Sequence, residues 1–245
     1  MPLNIYDRDD FFEEYNKLER SQKGLEGALE WPLLRDMVGH VKGDRILDLG
    51  CGMGWFCEWA MKEGAQTVRG VDISNNMLER ARARVPQGTF DRADLETFTP
   101  TEDDEYDLVY SSVALHYLPD ITRLVGQVYA SLVPGGRFVF SVEHPIFTSP
   151  RHAGWRFDPD HPSAKIWPVN GYSDESKRVT NWLVPGFEKY HRTMETYVTT
   201  LLEAGFRLVA FKEWMVTVGQ VALSPGWKHE RDRPLFLLIS VEKPA

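Results

Sequence analysis

Cysteine is scarce in this sequence: Cys51 and Cys57 are the only two among 245 residues. Two thiols in one short stretch do not make a disulfide scaffold, and their spacing is not that of zinc ligands. No other metal-ligand spacing is present, so no metal is expected. Long apolar runs are also missing. None approaches the ~20 residues that a membrane-spanning helix needs, so a membrane partner is not expected. Basic clusters are missing as well: the formal net charge is -8, with acidic residues spread along the chain. Phosphate binding rests on clustered Lys and Arg, so no nucleic-acid partner is expected. The start, from Met1 to Asp10, is polar and acidic, unlike a secretory signal. A reduced cytoplasmic compartment is therefore the expected location. There is no internal repeat and no obvious linker, and the length suits one α/β domain with an elaboration, 1–245.

What the sequence does contain is organised around one stretch, RILDLGCGMGWFCEWA from Arg45 to Ala60. Ile46-Leu47-Asp48-Leu49 has the character of a short buried strand. Gly50, Cys51, Gly52, Met53 and Gly54 follow, then a helical segment with Phe56, Trp59 and Ala60 on one face. Strand, glycine turn and helix open an α/β sheet that binds a ligand at its carboxyl edge. A dinucleotide fingerprint, G-x-G-x-x-G, needs its third glycine at position 55, which is Trp55. The third glycine is instead Gly54, which disfavours a nicotinamide oxidoreductase.

Further units follow in order. A strand over 67–71 ends at Asp72, 24 residues beyond Asp48. A carboxylate there can accept hydrogen bonds from both hydroxyls of a ribose, or serve as a strand-end turn residue. Ser74 is the expected cap of a helix with Met77, Leu78 and Ala81 inside. A third strand over 89–93 ends at Asp94-Leu95, with a solvated loop as the other reading of Asp94. The stretch 97–105 reads as a polar surface connection. Strand four, YDLVYSS, covers 106–112 and includes Ser111. Pro119 and Asp120 are expected to start a helix bearing Leu124, Val128 and Leu132. Residues 132–137 read as a turn before strand five at 138–142.

Taken together, DLGCGMG, VDIS, RADL, YDLVYSS and LVPGGRFVF resemble, in sequence and in order, the class I S-adenosylmethionine (SAM) dependent methyltransferases of small molecules, methyltransferase-11-like. The resemblance implies a Rossmann-like, seven-stranded, mostly parallel sheet with one antiparallel strand near the edge, helices on both faces and an irregular lid insertion. It implies SAM as cofactor and methyl transfer to a small-molecule acceptor, the acceptor itself being unidentified. The cofactor residues it implies are Asp48, Gly50, Cys51, Gly52, Gly54, Asp72, Ile73, Met77, Asp94, Leu95 and Ser111. Asp72 would take the ribose and Asp94 the adenine amino group. The alternative is a non-catalytic SAM-binding module or scaffold. No Asn/Asp-Pro-Pro-Tyr sequence follows strand four, which argues against DNA as the acceptor.

The expected organisation is a helical cover at 7–41, a cofactor core at 45–144, a lid at 145–190 and a C-terminal helix and hairpin at 191–245. The favoured reading of this cover is packing over the sheet edge; the resemblance offers, as the alternative, closure of Tyr15 and Arg20 over the cofactor. The lid carries Trp155, Phe157, Trp167, Tyr172 and Trp182 with no helical or strand period. In the last part, Thr193 should cap a helix with Tyr197, Leu201 and Leu202 inside. The base candidates are His144, after strand five, and His116, after strand four, because imidazole titrates near neutral pH. The other readings are pocket lining for His144, and packing or helix capping for His116. Glu143 suits an amine, and Tyr190, His191 and Arg192 either orient an acceptor carboxylate or simply start a helix. A homodimer is left open.

Overall fold

The computed structural model describes residues 4–101, 105–161, 164–223 and 225–245. The expected connection at 97–105 lies partly outside them. The chain opens on a short 3-10 turn at Ile5–Asp7, then α1 (Asp9–Tyr15), α2 (Glu19–Lys23) and α3 (Trp31–Val38). The core follows as β1 (Arg45–Leu49), α4 (Trp55–Lys62), β2 (Thr67–Asp72), α5 (Asn75–Arg84), β3 (Thr89–Arg92), β4 (Tyr106–Ser112), α6 (Thr122–Ser131) and β5 (Leu132–Glu143). Next come α7 (Pro145–Thr148), β6 (Arg156–Phe157), β7 (Lys165–Ile166), β8 (Lys177–Trp182) and β9 (Val184–Tyr190). The chain closes with α8 (Met194–Glu203), β10 (Arg207–Trp214), α9 (Val218–Leu223) and β11 (Phe236–Glu242).

Seven strands form the main sheet in the order β10-β11-β5-β4-β1-β2-β3. β11 runs antiparallel to both β5 and β10, while the other pairings are parallel. The expected architecture is therefore present. In β1, Ile46, Leu47, Asp48 and Leu49 are all buried, as befits a central parallel strand covered on both faces. Alternation decides which core each joins. Leu47 and Leu49 pack with Val109, Phe138 and Leu237 on one side. Ile46 packs with Phe56, Leu108 and Val139 on the other. A third, smaller cluster joins Phe11 to Val184 and Phe187, with Tyr6, Tyr15 and Tyr117 against it. It lies over the sheet edge as a roof.

Local signals explain several helix ends. The Ser74 hydroxyl accepts the Met77 N–H at 3.2 Å, and Thr193 accepts from Thr196 at 3.1 Å, as capping predicts. In α8, Tyr197 and Leu201 are buried but Leu202 is 52% exposed, correcting its expected inner position. Residues four apart share a helix face, and the next one turns away. In α6 the helix begins at Thr122, after a 3-10 turn at Leu115–Tyr117, and Leu132 already belongs to β5, where it pairs with Tyr106. The expected turn at 132–137 is thus an irregular start to the strand, with Gly135 at φ 79°.

The lid is not irregular throughout. β8 and β9 pair antiparallel as a hairpin, with Val179 opposite Glu188. Its strands lack apolar alternation because most of their residues are exposed. The buried Arg178 organises the preceding loops instead, donating to the carbonyls of Ser149, Gly171, Asp174 and Ser176. Backbone acceptors rather than apolar packing hold this segment, so hydrophobic periodicity could not reveal it.

Candidate functional site

The carboxyl ends of β1, β2, β3, β4 and β5 open into a cavity of about 2060 Å³. Gly50, Gly52, Asp72, Ile73, Met77, Asp94 and Leu95 line it, so the structure brings these expected residues together. The glycine loop needs its glycines for two different reasons. Gly50 has φ 76°, and a Cβ there would lie 2.5 Å from the Ala114 Cβ. Gly52, at φ 52°, faces open space, so its backbone is accessible to a ligand. Asp72 fixes the loop: one carboxylate oxygen accepts the Gly52 N–H at 2.9 Å, and the other accepts the Ser74 N–H at 2.9 Å. An ionised carboxylate has further lone pairs to offer, here toward the cavity. Burial pushes the Asp72 pKa up, against these backbone bonds.

Four expected cofactor residues do not line the cavity wall. Asp48 is buried beneath the loop, where it accepts from the Cys57 thiol at 3.4 Å. Burial, with the charge of Asp72 adding, pushes its pKa up to about 7. The Ser111 hydroxyl donates to the Leu49 carbonyl at 2.7 Å and so ties β4 to β1. Gly54 starts α4 in the left-handed region, 3.0 Å short of the Ala81 Cβ if it carried a side chain. Cys51 is buried, and its N–H donates to the Val71 carbonyl at 3.0 Å. These residues shape the loop from behind. Motif spacing alone cannot separate bracing residues from lining ones.

Neither base candidate lines the cavity. His144 is fully buried; its Nδ1 accepts the Ile146 N–H at 3.0 Å, and its Nε2 meets Glu213 at 2.9 Å. Both ring nitrogens are engaged within the protein. Burial lowers its pKa, against the Glu213 carboxylate. His116 is also fully buried, with Nδ1 3.5 Å from the Glu143 N–H and no partner for Nε2. Burial pulls its pKa down to about 4, so it is neutral at pH 7. His191 is likewise engaged, through the Thr148 hydroxyl at 2.7 Å and the Tyr172 carbonyl at 2.8 Å. Arg192 donates to the Leu118 carbonyl from a buried position. Of the expected trio only Tyr190 lines the cavity.

The opposite wall contains residues that local signals did not single out. Tyr6 and Tyr117 join Tyr15 and Arg20 there, with the two hydroxyls of Tyr6 and Tyr117 3.3 Å apart. Asn4 and Asp7 pin the first turn to the β2–α5 corner. The Asn4 amide donates to the Ile73 carbonyl at 3.1 Å. Asp7 accepts from the Ser74 hydroxyl at 2.6 Å and from the Asn75 and Asn76 N–H groups at 3.2 and 3.1 Å. Burial acts to raise the Asp7 pKa, but these bonds outweigh it and hold the carboxyl below its ordinary range. Further along, Glu143 at the end of β5 pairs with Lys189 of β9, both on the cavity wall. Burial again acts upward on Glu143, yet Lys189 and the groups around it keep its pKa low. Tyr117 was within reach of the reading that picked its neighbour His116. Lys189 had no signal, because its partner is 46 residues away.

No group of three or more metal-ligating side chains is found among the described residues. No helix there is long and apolar enough to cross a membrane.

Comparison with known proteins is consistent with this architecture. Residues 47–140 match the model of a family described as a methyltransferase domain. A solved structure of an S-adenosylmethionine dependent methyltransferase from Mesorhizobium loti is 46% identical, covering 89% of this chain and 100% of that one, with a TM-score of 0.84. An uncharacterised Haemophilus influenzae protein is 31% identical across 98% of this chain and 97% of its own length. A trans-aconitate 2-methyltransferase from Variovorax paradoxus is 39% identical over 41% of this chain and 38% of its own length.

Proposed function

The chain belongs to the SAM-dependent methyltransferases, and on that premise we propose that it methylates a small molecule held between the sheet edge and the aromatic roof. The observation that carries this reading is one continuous cavity. Gly50, Gly52 and Asp72 stand on its wall together with Tyr117, Glu143 and Lys189. Its volume of about 2060 Å³ exceeds the ~300–1,000 Å³ that holds one drug-sized ligand, which leaves room for cofactor and acceptor together.

Bound SAM supplies an electrophilic methyl group on a sulfonium. The remaining work falls to this chain's own residues. Asp72 would receive the ribose hydroxyls, and Asp94 with Leu95 would receive the adenine. Ile73 and Met77 would pack beside the ring, and the Gly50–Gly52 backbone would admit the methionyl part. Asp48, Cys51, Gly54 and Ser111 hold that loop in shape. The roof excludes water and aligns the acceptor, and alignment alone is worth up to ~7–11 kcal/mol in favourable systems. The chemistry SAM would supply is an in-line methyl transfer to the acceptor atom, with the electron pair of the broken bond staying on sulfur. A nucleophile that starts protonated loses its proton. We assign that step to neither His144 nor His116, whose rings are buried off the wall. The residues of 145–190 form the acceptor side, and the N-terminal cover extends back to Asn4. Free, buried thiols at Cys51 and Cys57 suit the expected cytoplasmic compartment. No contact favours a scaffold without turnover.

Calorimetric titration of the wild type and of Asp72→Ala with S-adenosylhomocysteine tests this reading. Binding that falls steeply in the variant supports it, and an acceptor screen with labelled SAM then follows. A folded wild type that ignores S-adenosylhomocysteine overturns it.

A further inference from the structure

The trans-aconitate relatives suggest a polycarboxylate acceptor, but the cavity wall is not charged for one. Its cationic side chains among the described residues are Arg8, Arg20, Lys23 and Lys189. Each already faces a carboxylate: Arg8 meets Asp10 at 2.6 Å, Arg20 meets Glu30 at 2.5 Å, Lys23 meets Glu19 at 3.1 Å, and Lys189 meets Glu143. The Arg8 and Lys23 pairs are exposed and screened by solvent. The other two reach into the protein. The Glu30 side chain is 1% exposed and that of Lys189 is 6% exposed. A carboxylate ligand at Arg20 or Lys189 would have to share that cation with a Glu carboxylate already paired to it. The wall also holds seven carboxylates against these four cations, so its field disfavours a polyanion.

What the wall offers is aromatic surface. Tyr6, Tyr15 and Tyr117 stand on the roof side. Phe147 and Trp167 also line the cavity, their rings stacked nearly parallel at 5° with centroids 5.5 Å apart. The indole N–H of Trp167 is taken by the Ile146 carbonyl at 3.0 Å. Arg233 lies over these rings, 4.4 and 3.9 Å from their centroids, and Glu230 meets its charge at 2.7 Å. Tyr6 and Tyr117 add phenol hydroxyls 3.3 Å apart, beside Thr180, Asn181, Glu188 and Lys189 from the β8–β9 hairpin. Phenols orient an uncharged polar atom without demanding a charge.

We propose, resting on the transferase reading above, that the acceptor is an uncharged, ring-bearing small molecule rather than a polycarboxylate. Stacking and phenol hydrogen bonds hold it, and the buried Glu143–Lys189 pair selects against a free carboxylate at this end of the cavity.

The test uses the full chain saturated with S-adenosylhomocysteine, titrated calorimetrically at pH 7.5 with 2-naphthol, 2-naphthoate and trans-aconitate. The expected result is binding of 2-naphthol ~10-fold or more tighter than 2-naphthoate or trans-aconitate, with little dependence on salt. Glu143→Gln frees Lys189, so the affinity for 2-naphthoate relative to 2-naphthol should then rise ~10-fold. Equal or tighter binding of either anion by the wild type overturns the proposal. So does a complex that binds none of the three. Should Glu143→Gln fail to fold, the wild-type series still decides. Failure of S-adenosylhomocysteine itself to bind is seen in the first titration, and removes the transferase reading on which this rests.

Discussion

The floor and the roof of the cavity are built in opposite ways. The floor is a glycine loop and strand ends set on two large cores, with Leu47 and Leu49 in one and Ile46 and Phe56 in the other. Main-chain donors to Asp72 and Val71 lock it. The roof rests on Phe11, Val184 and Phe187, with aromatic edges around them and a few ionic or capping contacts at its ends. The smaller buried apolar cluster means a lower local opening free energy. A rigid floor suits a cofactor common to many enzymes. A separately stabilised roof can admit and release an acceptor without disturbing that floor.

The largest expected effect breaks the floor alone. Gly50→Ala adds a Cβ at a left-handed residue, against Ala114. The backbone strain alone is ~1–2 kcal/mol, before the clash. Calorimetry should show S-adenosylhomocysteine affinity falling ~100-fold or more, with a lower Tm. Asp72→Ala comes next. Losing charged hydrogen bonds worth ~1.5–3 kcal/mol predicts a ~10- to 100-fold loss of S-adenosylhomocysteine affinity. If neither change weakens the cofactor more than a roof variant does, the contrast collapses.

Phe11→Ala breaks the roof instead. Phe11 stacks with Phe187 at 5.7 Å and meets Tyr6 edge-on at 4.9 Å. Acceptor KM should rise ~10-fold and S-adenosylhomocysteine binding should change less than ~3-fold, while hydrogen exchange quickens over residues 5–15 and 184–187.

The two regions also differ in pH sign. The folded Asp48 carboxyl is raised to about 7, so its contribution is complete below the unfolded value of ~3.9 and is lost as pH rises through about 7. Wild-type Tm should fall between pH 5 and 8, and Asp48→Asn should flatten that slope. The Asp7 and Glu143 pKa values are lowered on folding. Their contribution is complete above the ordinary carboxylate range and is lost as pH falls through their folded values. Acid should therefore open the roof first, visible as proteolysis of the N-terminal segment below about pH 4.

The smallest effect on chemistry is expected from His144→Gln. Its ring joins Ile146 to Glu213 away from the wall, so stability should drop by ~1–3 kcal/mol through unsatisfied partners. kcat should stay within ~3-fold; a fall of ~1,000-fold would restore His144 as a base.

Legibility followed the same division. The βα units of the floor were readable because each depends on neighbours in the chain: Ser74 caps Met77, and Gly54 turns into Trp55. Which motif residues brace and which line was not readable, since Asp48 and Asp72 are both carboxylates near the carboxyl ends of neighbouring parallel strands. Only packing shows that Asp48 lies under Cys57 and that Asp72 faces the opening. In the roof, the segment was located by its aromatics, but its hairpin was hidden. Arg178 and Lys189 replace the apolar residues that a strand pattern needs.

The sequence by itself determined the βα units of the core and the glycine loop, because these rest on periodicity and on backbone conformations that only certain residues adopt, while the cofactor and the class of reaction came from the resemblance of its motifs to a known family. Tertiary structure alone decided the rest. Burial engaged both nitrogens of His144 and left His116 neutral. Contacts spanning most of the chain brought Tyr6 to Tyr117 and Lys189 to Glu143. Protonation and pairing depend on which groups share a low-dielectric space, and residues far apart in sequence meet only when the chain has folded.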